Sequence, residues 1–288
     1  MNSVSNSDLP EQTPLLPPAM SAMRSWRMPM LLRLSAAIHV AMLLAAVVFD
    51  VWLWALAVLA INHLVITVVG LLPRSTWLGA NCTRLPASAV LRREIALTID
   101  DGPDPVVTPQ VLDLLDHHGI KATFFCIADK AAMHPTLCKS IVERGHTVEN
   151  HSQRHRHWFS LLGYAGMRRE ISDAQKTLMR ITGREPRFFR APAGLRNPFL
   201  DPVLSQLGLR LVAWSRRGYD TRTGNSAVVC QRLLRGLQPG AILLVHDGNC
   251  ALSGTGAPVV LDVLPKLFAA ARQNDLRFVT LPDALPSQ

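Results

Sequence analysis

The stretch IALTIDDGPDP, residues 95–105, passes from an apolar run to two adjacent carboxylates and a Gly-Pro turn. The apolar run has the length and composition of a buried β-strand, and the polar residues begin where that strand would end. Short apolar runs of this kind recur along the rest of the chain, separated by amphipathic segments. We predict strands at residues 95–99, 122–127, 146–149, 188–190, 209–214, 241–245 and 278–281.

The segments between these strands carry apolar residues at helical spacing, and several end at a glycine suited to a helix C-cap. The predicted helices cover residues 109–118, 131–144, 164–182, 198–207, 226–237 and 259–274, and the capping glycines are Gly119, Gly145, Gly183 and Gly208. Strand and helix taking turns about seven times predicts an α/β fold with a parallel sheet. Because no GxGxxG follows the first strand, we expect a closed or nearly closed barrel.

Two apolar runs precede the barrel within residues 30–72, where Arg33 and Asp50 are the only charged residues. The second run, 51–72, is long enough to cross a bilayer as a helix. The first run, 34–49, reaches that length if it begins a few residues earlier. We therefore predict an N-terminal transmembrane helical hairpin with a tight turn at Asp50.

The chain is thus divided into a tail, a hairpin, a connection and an α/β domain. Its start is rich in Ser, Asn, Pro and Gln, a composition typical of a disordered tail. The predicted boundaries are 1–29 for the disordered tail, 30–72 for the two transmembrane helices, 73–93 for a linker and 94–288 for the α/β domain.

Arginines flank the hairpin on both sides, while the turn between its helices carries none. They are Arg24, Arg27 and Arg33 near its start and Arg74, Arg84, Arg92 and Arg93 after it. Since positively charged flanks stay in the cytoplasm, we expect a multi-pass protein of the inner membrane with a cytosolic α/β domain. If only one run inserts, the topology stays open and a periplasmic domain is the alternative.

The net charge of +9 raises nucleic acid as a partner, but the basic residues are mostly arginines scattered along the chain. Several lie beside the predicted spans, where an anionic lipid surface accounts for them. We therefore predict membrane lipid as a partner and no nucleic acid. The five cysteines are widely spaced and include no CxxC pair, which argues against a disulfide framework.

Polar residues follow most of the predicted strands. In a barrel of parallel strands the active site is built at the carboxyl ends of the strands, so these residues are expected to converge. They are Asp100, Asp101, Asn150, His151, His155, Arg190, Asp220, His246 and Asp247.

Three of these residues form a metal-ligand pattern. His151 and His155 are four apart, a spacing that places two imidazoles on one face of a helical turn and suits a divalent transition metal. Adding a carboxylate such as Asp101 gives a two-His, one-Asp set with open positions for water and substrate, and the other acid of the pair stays free as a base. The structural alternatives are an incidental HxxxH pair, with His157 out of register, and an Asp-Gly-Pro turn that only caps a helix.

Arg190 and His246 add complementary groups. Within RFFRAPAGLRNP, residues 187–198, Arg190 stands at a strand end, where a two-pronged hydrogen bond could hold the free Asp of the pair and keep its pKa low. The Pro and Gly turn that follows exposes backbone N–H groups suited to an oxyanion. An apolar strand runs directly into His246, a position suited to a general acid, with a buried core histidine as the structural alternative.

The motifs TIDDGPDP, HSQRH, RAPAG and LLVHD stand in this order along the chain. Together they resemble the polysaccharide deacetylase family, also called carbohydrate esterase family four or the NodB-homology domain, from about residue 95 to the end of the sequence. The resemblance implies that the barrel after the hairpin is a distorted (β/α)7-type barrel, and it makes 94–288 a polysaccharide deacetylase-like catalytic domain. It also implies a hydrolase that acts on the carbon–nitrogen bond of a linear amide.

The resemblance further implies catalytic roles. Asp100 would be the general base that activates water, and His246 the acid that protonates the leaving amine. Arg190 would orient Asp100, and Asp220 would contact that arginine. The backbone N–H of Ala193 would contribute to an oxyanion hole.

The same resemblance makes Asp101, His151 and His155 the ligands of a divalent metal. Zn²⁺ is expected, with Co²⁺, Ni²⁺ or Mn²⁺ as alternatives. The implied reaction is hydrolysis of the amide of an N-acylated amino sugar, with release of acetate or formate.

Two positions depart from the family pattern, and both help shape the sugar pocket. Ala193 stands where the family often has an aromatic residue, and Thr221 where it commonly has Trp, which weakens the expectation of a long polymeric substrate. The candidate replacements as substrate contacts are Trp214, Arg216, Arg217 and Tyr219.

We therefore expect a membrane-anchored, metal-dependent N-deacylase of an amino sugar. A cytosolic site beside the bilayer would meet a lipid-linked saccharide, whereas a periplasmic site would favour a glycan polymer. The alternative from another class is a catalytically inactive glycan-binding or envelope scaffold protein.

Overall fold

The computed structural model of the chain describes residues 25–286, so most of the predicted tail lies outside the described residues. Two helices come first, α1 at Met30–Phe49 and α2 at Trp52–Gly70. Within the described part, eight strands follow: β1 Glu94–Asp100, β2 Thr123–Cys126, β3 Thr147–Asn150, β4 Phe188–Phe189, β5 Arg210–Leu211, β6 Arg216–Arg217, β7 Ile242–His246 and β8 Arg277–Phe278. The remaining helices are α3 Ala87–Leu91, α4 Val107–His117, α5 Ala128–Met133, α6 Pro135–Glu143, α7 Tyr164–Thr182, α8 Leu200–Gln206, α9 Ser226–Leu234, α10 Val259–Gln273 and α11 Leu281–Ala284.

The strands form one curled parallel sheet in the order β5-β4-β3-β2-β1-β7-β6, with β8 beside the start of β1. This arrangement confirms the predicted parallel α/β fold of the distorted-barrel type. The register between β1 and β7 pairs Asp100 with His246, and that between β1 and β2 pairs Asp100 with Phe125. The carboxyl ends of the central strands therefore lie side by side at the same end of the sheet.

Alternation along β1 separates the two faces of the sheet. Ile95, Leu97 and Ile99 pack in the large core beneath the helices, whereas Ala96 belongs to a smaller cluster on the other face. Because side chains alternate along a strand, Asp100 lies on the same inner face as Ala96 and Thr98. The helices thus bury the outer face, and the Asp100 side chain projects into the interior of the curl.

The predicted strand at 209–214 is divided in the structure. Its first part is β5, at one edge of the sheet, and the chain crosses within a few residues to β6, at the other edge. Between these edges lies a strap from the predicted linker, in which Cys82 bridges Val212 and Arg84 bridges Ala241. The sheet therefore approaches closure through irregular chain rather than through a direct pairing of its edges.

The predicted strand at 278–281 is also shorter than expected. It ends at Phe278, and Leu281 begins α11 after Thr280, whose side chain caps that helix by accepting from Asp283 N–H. The hydroxyl of Thr123 accepts the N–H of Leu281 at 2.9 Å. The strand predicted from the periodicity of apolar residues is therefore too long, because Thr280 caps the helix that begins at Leu281.

The N-terminal helices form an antiparallel pair with a left-handed residue, Asp50, at the turn. Asn62 donates a hydrogen bond to the Ser35 hydroxyl at 2.8 Å, and the ring nitrogens of His39 and His63 lie 3.2 Å apart. Most other side chains on both helices are apolar and exposed. Both helices are long and apolar enough to cross a membrane.

His146, just before β3, predicts a pH dependence of stability. Its side chain is fully buried, its Nδ1 accepts the Ala122 N–H at 3.2 Å, and burial lowers its pKa to about 4. Since the unfolded chain binds a proton near the ordinary pKa of about 6.5, the stability present above that pH is lost on acidification toward pH 4. By roughly pH 5, protonation of this one histidine in the unfolded chain would lower the free energy of unfolding by about 2 kcal/mol.

His146→Gln is therefore expected to reduce the loss of stability on acidification. The measurement is the thermal unfolding midpoint of the detergent-solubilised chain at about pH 7.5 and about pH 5. His117→Gln, at an exposed position, is the matched control and should keep the full acid sensitivity. Equal acid sensitivity in the His146 variant and the wild type would contradict this account.

Candidate active site

The side chains at the carboxyl ends of β1, β3, β4 and β7 converge within the curl. Asp101 follows β1, His151 follows β3, Arg190 follows β4, and His246 is the last residue of β7. Each of them is at most 7 % exposed, so the sheet brings four groups that are distant in sequence into one shielded site.

Asp101, His151 and His155 form a compact group whose ligand atoms all lie within 4.8 Å of one another. The Nε2 atoms of both histidines are 3.2 Å from Asp101 Oδ1. The expected helical turn is wrong, however, because the segment after β3 is irregular and both Ser152 and His155 have positive φ. The hydroxyl of Ser152 accepts the His155 N–H at 2.9 Å and stabilises this turn.

The protonation pattern of the three residues suits a cation. His151 Nδ1 lies 2.8 Å from the carbonyl oxygen of Arg190, which can only accept, so Nδ1 carries the proton and Nε2 presents a lone pair. Asp101 Oδ1 is buried and has no hydrogen-bond partner among the described residues. An orphaned carboxylate oxygen beside two imidazole nitrogens fits a divalent metal, for which these are ordinary ligands.

The electrostatics of the group agree with that fit. Burial raises the pKa of Asp101, but the contact with His151 and the positive charges that His151, His155 and His246 carry when protonated outweigh it and hold the pKa well below its usual range. Burial and the neighbouring His151 lower the pKa of His155 to about 4. At neutral pH the site therefore presents a carboxylate and a neutral imidazole from His155, the forms that bind metal.

Asp100 lies beside this group, with Oδ2 3.9 Å from His151 Nε2. Arg190 donates a single hydrogen bond to Asp100 Oδ1, from Nη1 at 2.7 Å, so the expected two-pronged contact is wrong. The same Nη1 donates to the Thr98 hydroxyl at 2.7 Å, while Nε and Nη2 donate to the carbonyl oxygens of Val212 and Ala213. The arginine is thus fixed by backbone and leaves Asp100 Oδ2 available.

Asp220 contacts His246 rather than Arg190, contrary to the expectation drawn from the motifs. One carboxylate oxygen accepts the His246 backbone N–H at 2.7 Å, and the other lies 3.0 Å from Nδ1. Burial lowers the pKa of His246, but the charge and hydrogen bond of Asp220 outweigh it, and the pKa is raised. Asp220 therefore orients the imidazole and favours its protonated form.

With His246 as the acid that the resemblance implies, Asp220→Asn is expected to shift the pH dependence of kcat. Without the carboxylate, the effect of burial is no longer offset and the pKa of His246 falls. As the pH rises, His246 therefore loses its proton at a lower pH in the variant than in the wild type. The alkaline limb of the kcat–pH profile should move to lower pH, with a larger loss near pH 8 than near pH 6. A profile lowered equally at all pH values would contradict this role.

Asp247 lies behind the turn at residues 101–103, which follows β1, and is fully buried. Its carboxylate accepts the Thr108 hydroxyl and the Gly248 N–H, and burial raises its pKa to about 7. A Cβ atom at Gly102 would lie 2.4 Å from Asp247 Oδ2, so only glycine fits at this place in the turn. The carboxylate thus packs under the turn that aims Asp100 and Asp101.

Sequence reasoning missed two residues that support the site. Thr98, two positions before Asp100, could have been found from strand alternation, since both share the inner face. Asn249 Nδ2 donates to Asp101 Oδ2 at 3.2 Å and lies in an irregular segment after β7 that gives no such signal.

The residues predicted as substitute substrate contacts differ in exposure. Trp214 is 6 % exposed and packs inside, which places it with the framework of the site. Tyr219 is 41 % exposed, and the guanidinium of Arg217 lies 4.5 Å from its ring centre. Arg216 is exposed in β6. Tyr219 and Arg216 are therefore the members of this set that a ligand can reach from solvent.

Known proteins resemble this chain over the α/β domain. The family model for polysaccharide deacetylase matches residues 88–212. A peptidoglycan-N-acetylglucosamine deacetylase of Bacillus cereus is 33% identical over 193 residues, covering 66% of this chain and 87% of the relative. A chitooligosaccharide deacetylase of Sinorhizobium fredii is 36% identical over 166 residues, covering 57% and 76%.

Solved structures give the same result. A peptidoglycan N-acetylglucosamine deacetylase matches with a TM-score of 0.65 and 28% identity, over 72% of this chain and 94% of that one. A family 4 carbohydrate esterase from Streptomyces lividans matches with a TM-score of 0.58 and 31% identity, over 64% and 91%. The chain therefore belongs to the polysaccharide deacetylase family, hydrolases that cleave the carbon–nitrogen bond of a linear amide.

Proposed function

We propose that the chain is a membrane-anchored, metal-dependent N-deacylase that removes the acetyl or formyl group from an N-acylated amino sugar. The observation that carries the proposal is the Asp101–His151–His155 group with Asp100 and His246 beside it, of which His155 is partly buried and the other four are buried in the curl. The named relatives act on N-acetylglucosamine-containing or chitooligosaccharide substrates by their descriptions, which supports an amino sugar as the substrate.

Each group has a place in the proposed hydrolysis. Asp101, His151 and His155 would hold the metal, which when bound polarises the amide carbonyl and makes water more acidic. Asp100, positioned by Arg190, would take the proton from the attacking water. The backbone N–H of Ala193, in a left-handed turn with φ 55°, would donate to the oxyanion. His246, kept protonated by Asp220, would deliver a proton to the departing sugar nitrogen.

The hairpin supports a membrane anchor in this proposal. The start of α1 and the end of α2 lie at the same end of an antiparallel pair, so both would meet one membrane surface. The arginines on the same flanks favour the cytosolic side. The α/β domain would then face the cytosol from the inner membrane, with anionic lipid beside it.

A lipid-linked saccharide is the substrate that this placement favours over a finished polymer. An apolar groove of about 860 Å³ lies where the hairpin meets the domain. Trp26, Met30 and Leu34 line one side and Trp77 another, and Trp26 donates to Asp201 at 2.9 Å. An aromatic-lined groove at the base of a membrane span is suited to a lipid chain.

The deciding experiment measures acetate and formate release by the detergent-purified chain from lipid-linked and polymeric amino sugars, with metal content determined alongside. Metal-dependent release from one substrate would establish the deacylase and its acyl group. A chain that holds metal and releases neither acid from any substrate would favour the inactive glycan-binding or scaffold alternative.

Topology has a separate test. Protease is added to intact spheroplasts, and cleavage of the α/β domain is followed. Protection of the domain until the membrane is permeabilised is expected for a cytosolic domain. Cleavage in intact spheroplasts would exclude the cytosolic arrangement and favour a glycan polymer in the periplasm.

A further inference from the structure

The end of α2 contacts the loop that carries Arg190 and the Ala193 backbone N–H, two of the candidate catalytic groups. We call residues 190–196 the catalytic loop and residues 70–75 the exit segment. The Arg196 backbone N–H donates to the Gly70 carbonyl at 3.1 Å, and its guanidinium Nη2 donates to the Ser75 carbonyl. Arg196 is 4 % exposed, so this contact is an internal packing interaction of the protein.

The two segments fit together without spare room. A Cβ atom at Gly70 would lie 2.4 Å from the Arg196 carbonyl oxygen. A Cβ atom at Gly194 would lie 2.7 Å from both Pro73 Cβ and Trp214 Cη2. Because closely packed backbone has little freedom to shift, displacement of the exit segment would displace the catalytic loop.

The exit segment is itself fixed on the domain. Asn81 Nδ2 donates to the carbonyl oxygens of Pro73 and Ser75 at 2.9 and 3.1 Å. Arg74 Nη1 donates to the Ser215 carbonyl at 3.2 Å. The contact therefore joins the membrane hairpin, the barrel and the catalytic loop in one assembly.

The first residue of the catalytic loop has anchors of its own. Arg190 is held by Thr98, Asp100 and two backbone carbonyls, none of which belongs to the exit segment. Ala193 lies on the other side of the turn, between these anchors and Arg196. The position of the Ala193 backbone N–H therefore depends on the exit segment more than that of Arg190 does.

We propose that the membrane hairpin helps to position the active site. Arg196 is the positioning residue: its contacts with the exit segment hold the Ala193 backbone N–H in place. The role of that N–H rests on the proposed function. Loss of a whole oxyanion donor costs about 10²- to 10³-fold in kcat, so a displaced donor should cost about 10-fold. Asp100, His246 and the metal ligands should be unaffected.

The test uses the full chain in detergent with two kinds of change. Arg196→Met removes the hydrogen-bond donor to the Ser75 carbonyl, and Arg196→Lys keeps a donor at this position. Gly70→Ala places a methyl group against the Arg196 carbonyl oxygen, while alanine itself is favourable in a helix. The controls are Arg180→Met and Gly163→Ala, an exposed arginine and a glycine with no atom within 4 Å of an added Cβ.

Two readouts decide the proposal. Arg196→Met and Gly70→Ala should lower kcat about 10-fold with KM, metal content and the shape of the pH profile unchanged, and Arg196→Lys should recover most of the activity. Hydrogen exchange of residues 191–196 should be faster in both variants, while that of residues 94–100 stays at the wild-type rate.

Unchanged exchange at 191–196 in both variants would overturn the proposal whatever the activity. Loss of metal together with a lower unfolding temperature would also overturn it, because the contact would then stabilise the whole domain. If the wild type releases no acyl group from any substrate, the proposed function fails, and the exchange measurement still decides whether the hairpin positions the loop.

Discussion

Asp100→Asn is expected to lower kcat by about 10²- to 10⁴-fold while the chain keeps its metal. The amide has nearly the shape of the carboxylate, and its oxygen can still accept the hydrogen bond from Arg190 Nη1. It cannot take a proton from water, which is the step assigned to Asp100 Oδ2. The measurements are steady-state kinetics of acyl release and metal content of the purified variant.

The control for this variant is Asp113→Asn. Asp113 is 70 % exposed and pairs with Arg144 at 2.8 Å on the outside of the domain, so activity should stay at the wild-type level. Retained activity in Asp100→Asn would remove Asp100 as the general base. Lost activity accompanied by lost metal would mean that Asp100 belongs to the ligand set.

His151→Ala is expected to lose both bound metal and activity, with kcat at least about 10²-fold below wild type. His151 has its Nε2 3.2 Å from Asp101 Oδ1 and its Nδ1 proton on the Arg190 carbonyl, so alanine removes a ligand and leaves that carbonyl without its donor. The measurement is metal per chain after dialysis, determined alongside acyl release.

His157→Ala is the matched control because His157 is two residues from His155 and exposed. It should keep both metal and activity. Full metal occupancy in His151→Ala would contradict the ligand assignment. Equal metal loss in both variants would indicate that the loop after β3, and not the identity of the ligands, holds the metal.

The sequence could predict the elements of this fold because each depends on local patterns. The apolar run at 95–99 predicted β1 within one residue at either end, and the helix predicted at 164–182 is α7 with the same bounds. Alternation of apolar residues reports the burial of one segment, and capping glycines report where a helix ends. Gly183, for example, has the left-handed φ of 69° that its C-cap position requires.

Local patterns could not predict contacts between segments that are far apart in sequence. The partner of Asp220 depends on how the chain from β6 approaches β7, which no spacing encodes. The number of hydrogen bonds from Arg190 to Asp100 depends on where the carbonyls of Val212 and Ala213 lie. The segment that joins His151 to His155 is irregular, so the two histidines do not share a helical turn, as the HxxxH spacing had predicted.

The sequence by itself determined the family of this protein, its alternating strands and helices, its two apolar helices and the identity of the candidate site residues, because residue type and period act over short distances. Only the tertiary structure decided the geometry of the site. The curl of the sheet brings Asp100 beside His246, the strap at 82–84 fills the space between the sheet edges, and Arg196 meets the end of α2. These contacts depend on the packing of whole elements, which is fixed only when the chain has folded.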